Sequence, residues 1–153
     1  MTRFTERAAD RYGMAIETES FPEGTKTAAD AAEAVGCEVG QIVKSVVLTT
    51  GEGEAVVVLT AGDHRVDTDA LAAELGADRL TLADPETVRA RTGYAIGGVP
   101  PFCHDERLPT YVDRTLLAHE TVWAAAGTPE TVFPVAPDRL RAITDATPIA
   151  TFE

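Results

Sequence analysis

The chain has 153 residues, enough for one domain with a core of its own. Asp and Glu number 25 against 13 Lys and Arg, a formal net charge of −12, which argues against nucleic-acid binding by blanket phosphate neutralisation and against a polybasic membrane face. No apolar run approaches the ~18 residues of a membrane span, the first dozen residues carry charges rather than a leader core, and two cysteines, Cys37 and Cys103, make no disulfide framework, so a cytoplasmic protein is expected.

Residues 5–12 read as a short first helix ended by Gly13, and residues 15–18 as a first strand. Thr27 is placed to cap a helix through Val35. Its Ala28, Ala31, Ala32 and Val35 recur at helical spacing, and Gly36 stops it. The period then changes. Residues 41–50 and 55–61 are β-rich runs on either side of Gly51-Glu52-Gly53-Glu54, the clearest hairpin in the chain. Residues 67–75 read as a helix stopped by Gly76, and residues 80–82 as a short strand. Asp84 and Pro85 read as the N-cap and first position of a helix to about Arg91. From Thr92 to Pro109, Gly93, Gly97, Gly98, Pro100, Pro101 and Pro109 prevent any long regular element. Tyr111-Val112, residues 121–125 and residues 131–135 read as short strands, and residues 137–143 as the last helix. Helices and strands interleave irregularly around a hairpin, so the expected class is α+β around a mixed sheet rather than a doubly wound parallel one.

Only two lysines occur, Lys26 and Lys44. This scarcity, with the acidic excess and the abundance of Ala and Thr, matches proteins of salt-accumulating hosts, whose surfaces stay soluble where salt screens self-repulsion. An acidic mesophilic enzyme is the other reading. Lys44 sits within an apolar strand, on one face with Ile42 and Val46. If that face is inward, its ammonium needs an anionic or carbonyl partner; if outward, its stem covers apolar surface. Ala95-Ile96-Gly97-Gly98-Val99-Pro100-Pro101-Phe102 is the second feature. Paired glycines allow close backbone approach and expose N–H groups, and the prolines stiffen the exit; an ordinary connecting loop reads the same way. His64, His104 and His119 are scattered without metal-ligand spacing and read as ordinary histidines. Cys103 and His104 are adjacent, which does not by itself make a thiol–base pair.

Taken together, these residues resemble the YbaK family and its relative, the editing domain inserted in bacterial prolyl-tRNA synthetases, over residues 27–140. Thr27-Ala28 through Ala31-Ala32 and Gly36 looks like the helix before the family's site. Gln41-Ile42-Val43-Lys44-Ser45 looks like the strand bearing its lysine, and Gly97-Gly98-Val99-Pro100-Pro101 like its Gly-Gly-x-x-Pro loop. Arg107-Leu108-Pro109-Thr110-Tyr111-Val112-Asp113 resembles the segment ending in a family aspartate, and Ala126-Gly127 with Val132 and Leu140 the usual ending. Cys103 and Ala126 depart from the pattern, standing where relatives often carry Gly.

The resemblance implies a partly barrel-like mixed sheet flanked by helices, one editing domain over residues 1–153, and neither metal nor cofactor. The activity implied is trans-editing: hydrolysis of the ester of a mischarged tRNA, often a tRNA for proline carrying Cys, Ala or Ser. The partners implied are the acylated 3′ end and a synthetase, not DNA or a membrane. Lys44, Gly97 and Gly98 would be catalytic, the glycine N–H groups holding the carbonyl or oxyanion and Lys44 the phosphate–ribose or carbonyl. Pro100, Pro101, Phe102 and Cys103 would wall the substrate. Asp113 would bind its α-ammonium or order the site. No general base stands out; the terminal ribose hydroxyl or the misacylated side chain could assist, and His104 is an outlying candidate. A non-catalytic module of this fold that binds aminoacyl-tRNA, nucleotide or synthetase is the rival. An open, polar pocket lined by Lys44 and Gly97–Gly98 would favour the enzyme; a filled, apolar one would favour the module. A cysteine-dependent hydrolase through Cys103 would instead be inactivated by alkylation.

Overall fold

A computed structural model describes residues 3–21 and 27–153. Its elements are α1 (Arg3–Tyr12), β1 (Glu19–Ser20), α2 (Ala28–Val35), β2 (Ile42–Thr50), β3 (Ala55–Ala61), α3 (Thr68–Leu75), β4 (Leu80–Leu82), α4 (Pro85–Thr92), β5 (Thr110–Asp113), β6 (Val122–Ala125), β7 (Thr131–Val135), α5 (Pro137–Thr144) and β8 (Thr147–Ile149). Short 3-10 turns occupy Val39–Gln41 and Arg114–Ala118. The class is α+β, as expected, with helices around one mixed sheet.

The sheet order is β1-β7-β6-β2-β3-β5-β8, with β4 added to β2. The β2–β3 hairpin is its centre, antiparallel from Val43↔Ala61 to Thr49↔Ala55. β3 is buried at every position, which accounts for a run that is apolar but for Thr60. Val57 and Leu59 enter the larger core with Phe4, Leu116, Phe133 and Leu140. Val56 and Val58 face the second core with Leu48, Leu71 and Leu80. Parallel pairing joins β2 to β6, β3 to β5 and β5 to β8.

The helix signals act as read. Thr27, Asp67 and Asp84 accept from the backbone N–H groups of Asp30, Ala70 and Thr87, and Gly36, Gly76 and Gly93 close α2, α3 and α4 in the left-handed region. The expected strand at 15–18 is absent; β1 lies further on, at two exposed residues paired with β7. β8 escaped the sequence reading because Pro148 sits in its middle, which an edge strand tolerates. Among the described residues no helix is long and apolar enough to cross a membrane.

Candidate functional site

The edge of β2 opposite β3 carries two partners. β6 pairs with it at Ile42 and Val43, and β4 at Leu48, Thr49 and Thr50. Ala83 N–H reaches the Val47 carbonyl, so on this edge residues 44–46 form a gap without a strand partner among the described residues, while their other edge pairs with β3. A pocket of about 600 Å³ borders this gap at Lys44 and Ser45. Its lining includes Val43, Lys44 and Ser45 from β2, Thr27 and Ala28 at the start of α2, Gly62 just past β3, and Gly97, Val99 and Pro129 from two loops. Trp123, Ala124, Thr131 and Val132 complete it from β6 and β7. Lys44 is the one ionisable residue among these described lining residues.

Lys44 is half-buried and faces Thr60 across the hairpin. Its Nζ donates to the His64 carbonyl at 2.7 Å, the kind of partner an inward lysine requires. Burial holds the ammonium below the ordinary lysine value. Arg65 pushes the same way, while Asp63 and Asp113 oppose. An ammonium has three donors, so two remain beyond the bond to His64. Ser45 lines the same pocket, and its Oγ is buried without a hydrogen-bond partner among the described residues.

The two glycines separate in role. Gly97, at φ +89°, lines the pocket against Pro129. Gly98 packs behind it: its N–H donates to the Ala95 carbonyl at 3.0 Å, and a β-carbon there would lie 2.8 Å from the Thr128 carbonyl carbon. The expectation of two free N–H donors therefore fails at Gly98, whose N–H is taken up within the loop that it supports.

The wall expected from Pro100, Pro101, Phe102 and Cys103 is also corrected, because the chain turns inward after Val99. Phe102 joins the core, its ring 5.2 Å from Phe4 and 6.1 Å from Phe133. Pro101, Phe102, Cys103 and His104 line a different hollow, of about 260 Å³. Pro100 is buried, and its carbonyl accepts His104 Nε2 at 2.7 Å. Burial depresses the His104 pKa, and its place in this second hollow rather than in the Lys44 pocket removes it as a base there. Cys103 is buried at φ +65°, and burial pushes its thiol pKa up against the opposing influence of Arg11 and Arg7.

Asp113 is fully buried and does not line the Lys44 pocket. Its Oδ2 accepts from Ala61 N–H at 3.0 Å and from His64 Nδ1 at 2.7 Å. Its Oδ1 accepts from Thr115 N–H and Oγ1 at 3.0 and 2.8 Å. With both oxygens doubly occupied, it orders structure rather than receiving an ammonium. His64, read as an ordinary histidine, is its partner, and the ring stacks on Phe152 at 5.4 Å. Gly62 was also missed: a β-carbon there would meet the Val39 carbonyl oxygen at 2.5 Å. A glycine directly after an apolar strand run was the available signal. Among the described residues no three His, Cys, Asp or Glu side chains gather as metal ligands would.

Residues 22–143 match the profile of the aminoacyl-tRNA editing domain. The chain is 31% identical to the uncharacterised protein YwhH of Bacillus subtilis (strain 168), over 91% of this chain and 85% of that one. It is 25% identical to EbsC of Enterococcus faecalis (strain ATCC 700802 / V583), named as a candidate Cys-tRNA(Pro)/Cys-tRNA(Cys) deacylase, over 82% and 77% of the two chains. The proline–tRNA ligase of Stenotrophomonas maltophilia (strain K279a) is 35% identical over 61% of this chain, a stretch that is 17% of the ligase. A solved structure described as a candidate trans-editing enzyme for prolyl-tRNA synthetase superposes with a TM-score of 0.90 at 41% identity, covering 100% of this chain and 99% of its own. With four-fifths of its length matched and its fold shared, this chain belongs to the aminoacyl-tRNA editing domain family.

Proposed function

We propose that the protein is a trans-acting deacylase that hydrolyses the ester of a mischarged aminoacyl-tRNA carrying a small amino acid. The observation that carries the reading is the convergence of Lys44 and Gly97 on one pocket of about 600 Å³. That volume suits a terminal nucleoside with a small acyl group, within the range of ordinary ligand sites. The pocket is lined by Lys44 and Gly97 but not by Gly98, and most of its other lining is apolar, so the support for an enzyme comes from its openness and from Lys44 rather than from a polar wall.

In this reading the tRNA 3′ end enters beside Thr27, with the acyl group toward Val43, Ala124 and Val132. The two free donors of the Lys44 ammonium take the terminal phosphate–ribose or the acyl carbonyl. Gly97 N–H, in a backbone conformation that leaves no Cβ in the way, faces the oxygen that becomes an oxyanion. Water adds to the acyl carbon and the bond to the ribose oxygen breaks. The water's protons end on the released amino acid and the 3′-hydroxyl. Since no side-chain base lines the pocket among the described residues, the first proton passes to the substrate, through the neighbouring ribose hydroxyl or the misacylated side chain. Gripping only the acylated end requires few phosphate contacts, which reconciles the reading with a net charge of −12.

The test is a deacylation panel of Ala-, Cys-, Ser- and Thr-charged tRNAs, with parent and Lys44→Ala protein. Turnover of at least one ester that is lost in Lys44→Ala, with melting unchanged, is expected. Equal rates in the two proteins would refute the site. Tight binding without turnover of any ester would favour the non-catalytic module.

A further inference from the structure

We propose that His64 and Asp113 are positioning residues for Lys44. They lie outside the pocket and fix the carbonyl on which its ammonium rests. The inference builds on the reading of Lys44 above.

β3 ends at Ala61, and the chain reverses through Gly62 and Asp63, closed by His64 N–H on the Ala61 carbonyl at 2.9 Å. That local bond closes the turn, and a second hold braces it from a distance. Asp113 supplies it from 49 residues away. Parallel pairing of β5 with β3 in the register Leu59↔Val112 brings Asp113 alongside the end of β3. One carboxylate oxygen, Oδ2, then holds the turn at both ends, at Ala61 N–H and at His64 Nδ1. The ring must carry its proton on Nδ1 to donate, and its stacking on Phe152 fixes its plane. With the ring anchored, the main-chain carbonyl of the same residue points at Lys44 Nζ, 2.7 Å away. Carboxylate, imidazole, main chain and ammonium thus form one continuous chain from the core to the pocket.

The division of labour within Asp113 makes the idea testable. Its Oδ1 serves Thr115 and caps the 3-10 turn Arg114–Ala118, whereas Oδ2 serves the turn that bears Lys44's acceptor. A purely structural aspartate would make the two contacts equivalent in their effect on Lys44.

Because Asp113 is fully buried, variants of the partly exposed His64 carry the experiment. His64→Ala removes the anchor and leaves the carbonyl in the chain. His64→Asn puts an amide nitrogen close to the Nδ1 position and restores the donor. Thr115→Ala removes only an Oδ1 contact. The full-length protein holds two lysines, so lysine labelled with 15N at the side chain gives two ammonium signals, assigned with Lys44→Arg. In His64→Ala the Lys44 signal should move or broaden while Lys26 stays, and kcat for the preferred ester should fall about five- to twentyfold with little change in KM. His64→Asn should recover to within about twofold, and Thr115→Ala should match the parent. A parental Lys44 signal and parental kcat in His64→Ala would overturn the proposal, as would equal losses in His64→Asn and Thr115→Ala. A Lys44 signal that moves in His64→Ala, in a protein that hydrolyses no ester, would support the positioning while refuting the deacylase reading. Lys44-dependent hydrolysis indifferent to His64 would do the reverse.

Discussion

Substituting Gly98 by Ala separates contact from conformation in the loop. A β-carbon at Gly98 would stand 2.8, 2.9 and 3.0 Å from the Thr128 carbonyl carbon, Thr128 Cα and Pro129 N. These are backbone atoms, and the nearest falls about 0.6 Å short of the 3.4 Å at which ordinary contact begins. One loop must move, at a cost of about 1–3 kcal/mol for overpacking, or a fall of about 2–12 °C in Tm for a chain of this size. Pro129 lines the pocket beside Gly97, so the displacement reaches the site. A misplacement of this order lowers kcat/KM by about tenfold or more. Gly97→Ala is the companion: its β-carbon meets only Pro129 at 3.9 Å, so the cost is the positive φ, about 1–2 kcal/mol, with Pro129 unmoved. Thermal melting by circular dichroism and steady-state deacylation measure both variants. A Gly98→Ala protein with parental Tm and parental kcat/KM would refute the packing argument.

Two further outcomes follow from the titrating groups. Activity that needs the Lys44 ammonium should decline on the alkaline side at a lower pH than the ordinary lysine value of 10.5, because the protonated form is disfavoured by burial and by Arg65. Arg65→Ala removes the like charge and should shift that limb upward in a background-corrected pH–rate profile; a downward shift would contradict the assignment. Iodoacetamide at neutral pH should leave activity intact, since burial raises the pKa of both thiols and Cys103 is buried. Stoichiometric inactivation prevented by substrate would revive the cysteine route.

The parts of the molecule legible in the sequence are those specified locally. The capped helix α2, the β2–β3 hairpin and the Asp84-Pro85 start of α4 each carry their own signal within a few residues. β1 could not be read, because two exposed residues become a strand only by lying against Val132 and Thr131. The site divides in the same way. Lys44 stood out as a rare charge in an apolar strand, and Gly97 as half of a glycine pair. Phe102 and Cys103 are expected at the pocket only from what the resemblance implies. Burial of Phe102 against Phe4 and Phe133 turns that segment away. His64 carried no local mark at all, since its partner Asp113 arrives only through the parallel pairing of β5.

The gap along β2 also bears on how such a pocket can be retuned. Its floor belongs to the most deeply buried hairpin, whereas its sides come from α2, the 97–99 loop and the segment around Pro129. In the proposed deacylase, stability and selectivity therefore rest on different stretches of chain. Enlarging Ala28 or trimming Val132 would alter the space offered to an acyl group while leaving the β2–β3 ladder intact, and changes on well-separated sides should combine additively. A single framework of this kind can host a succession of acyl preferences by exchanging its walls.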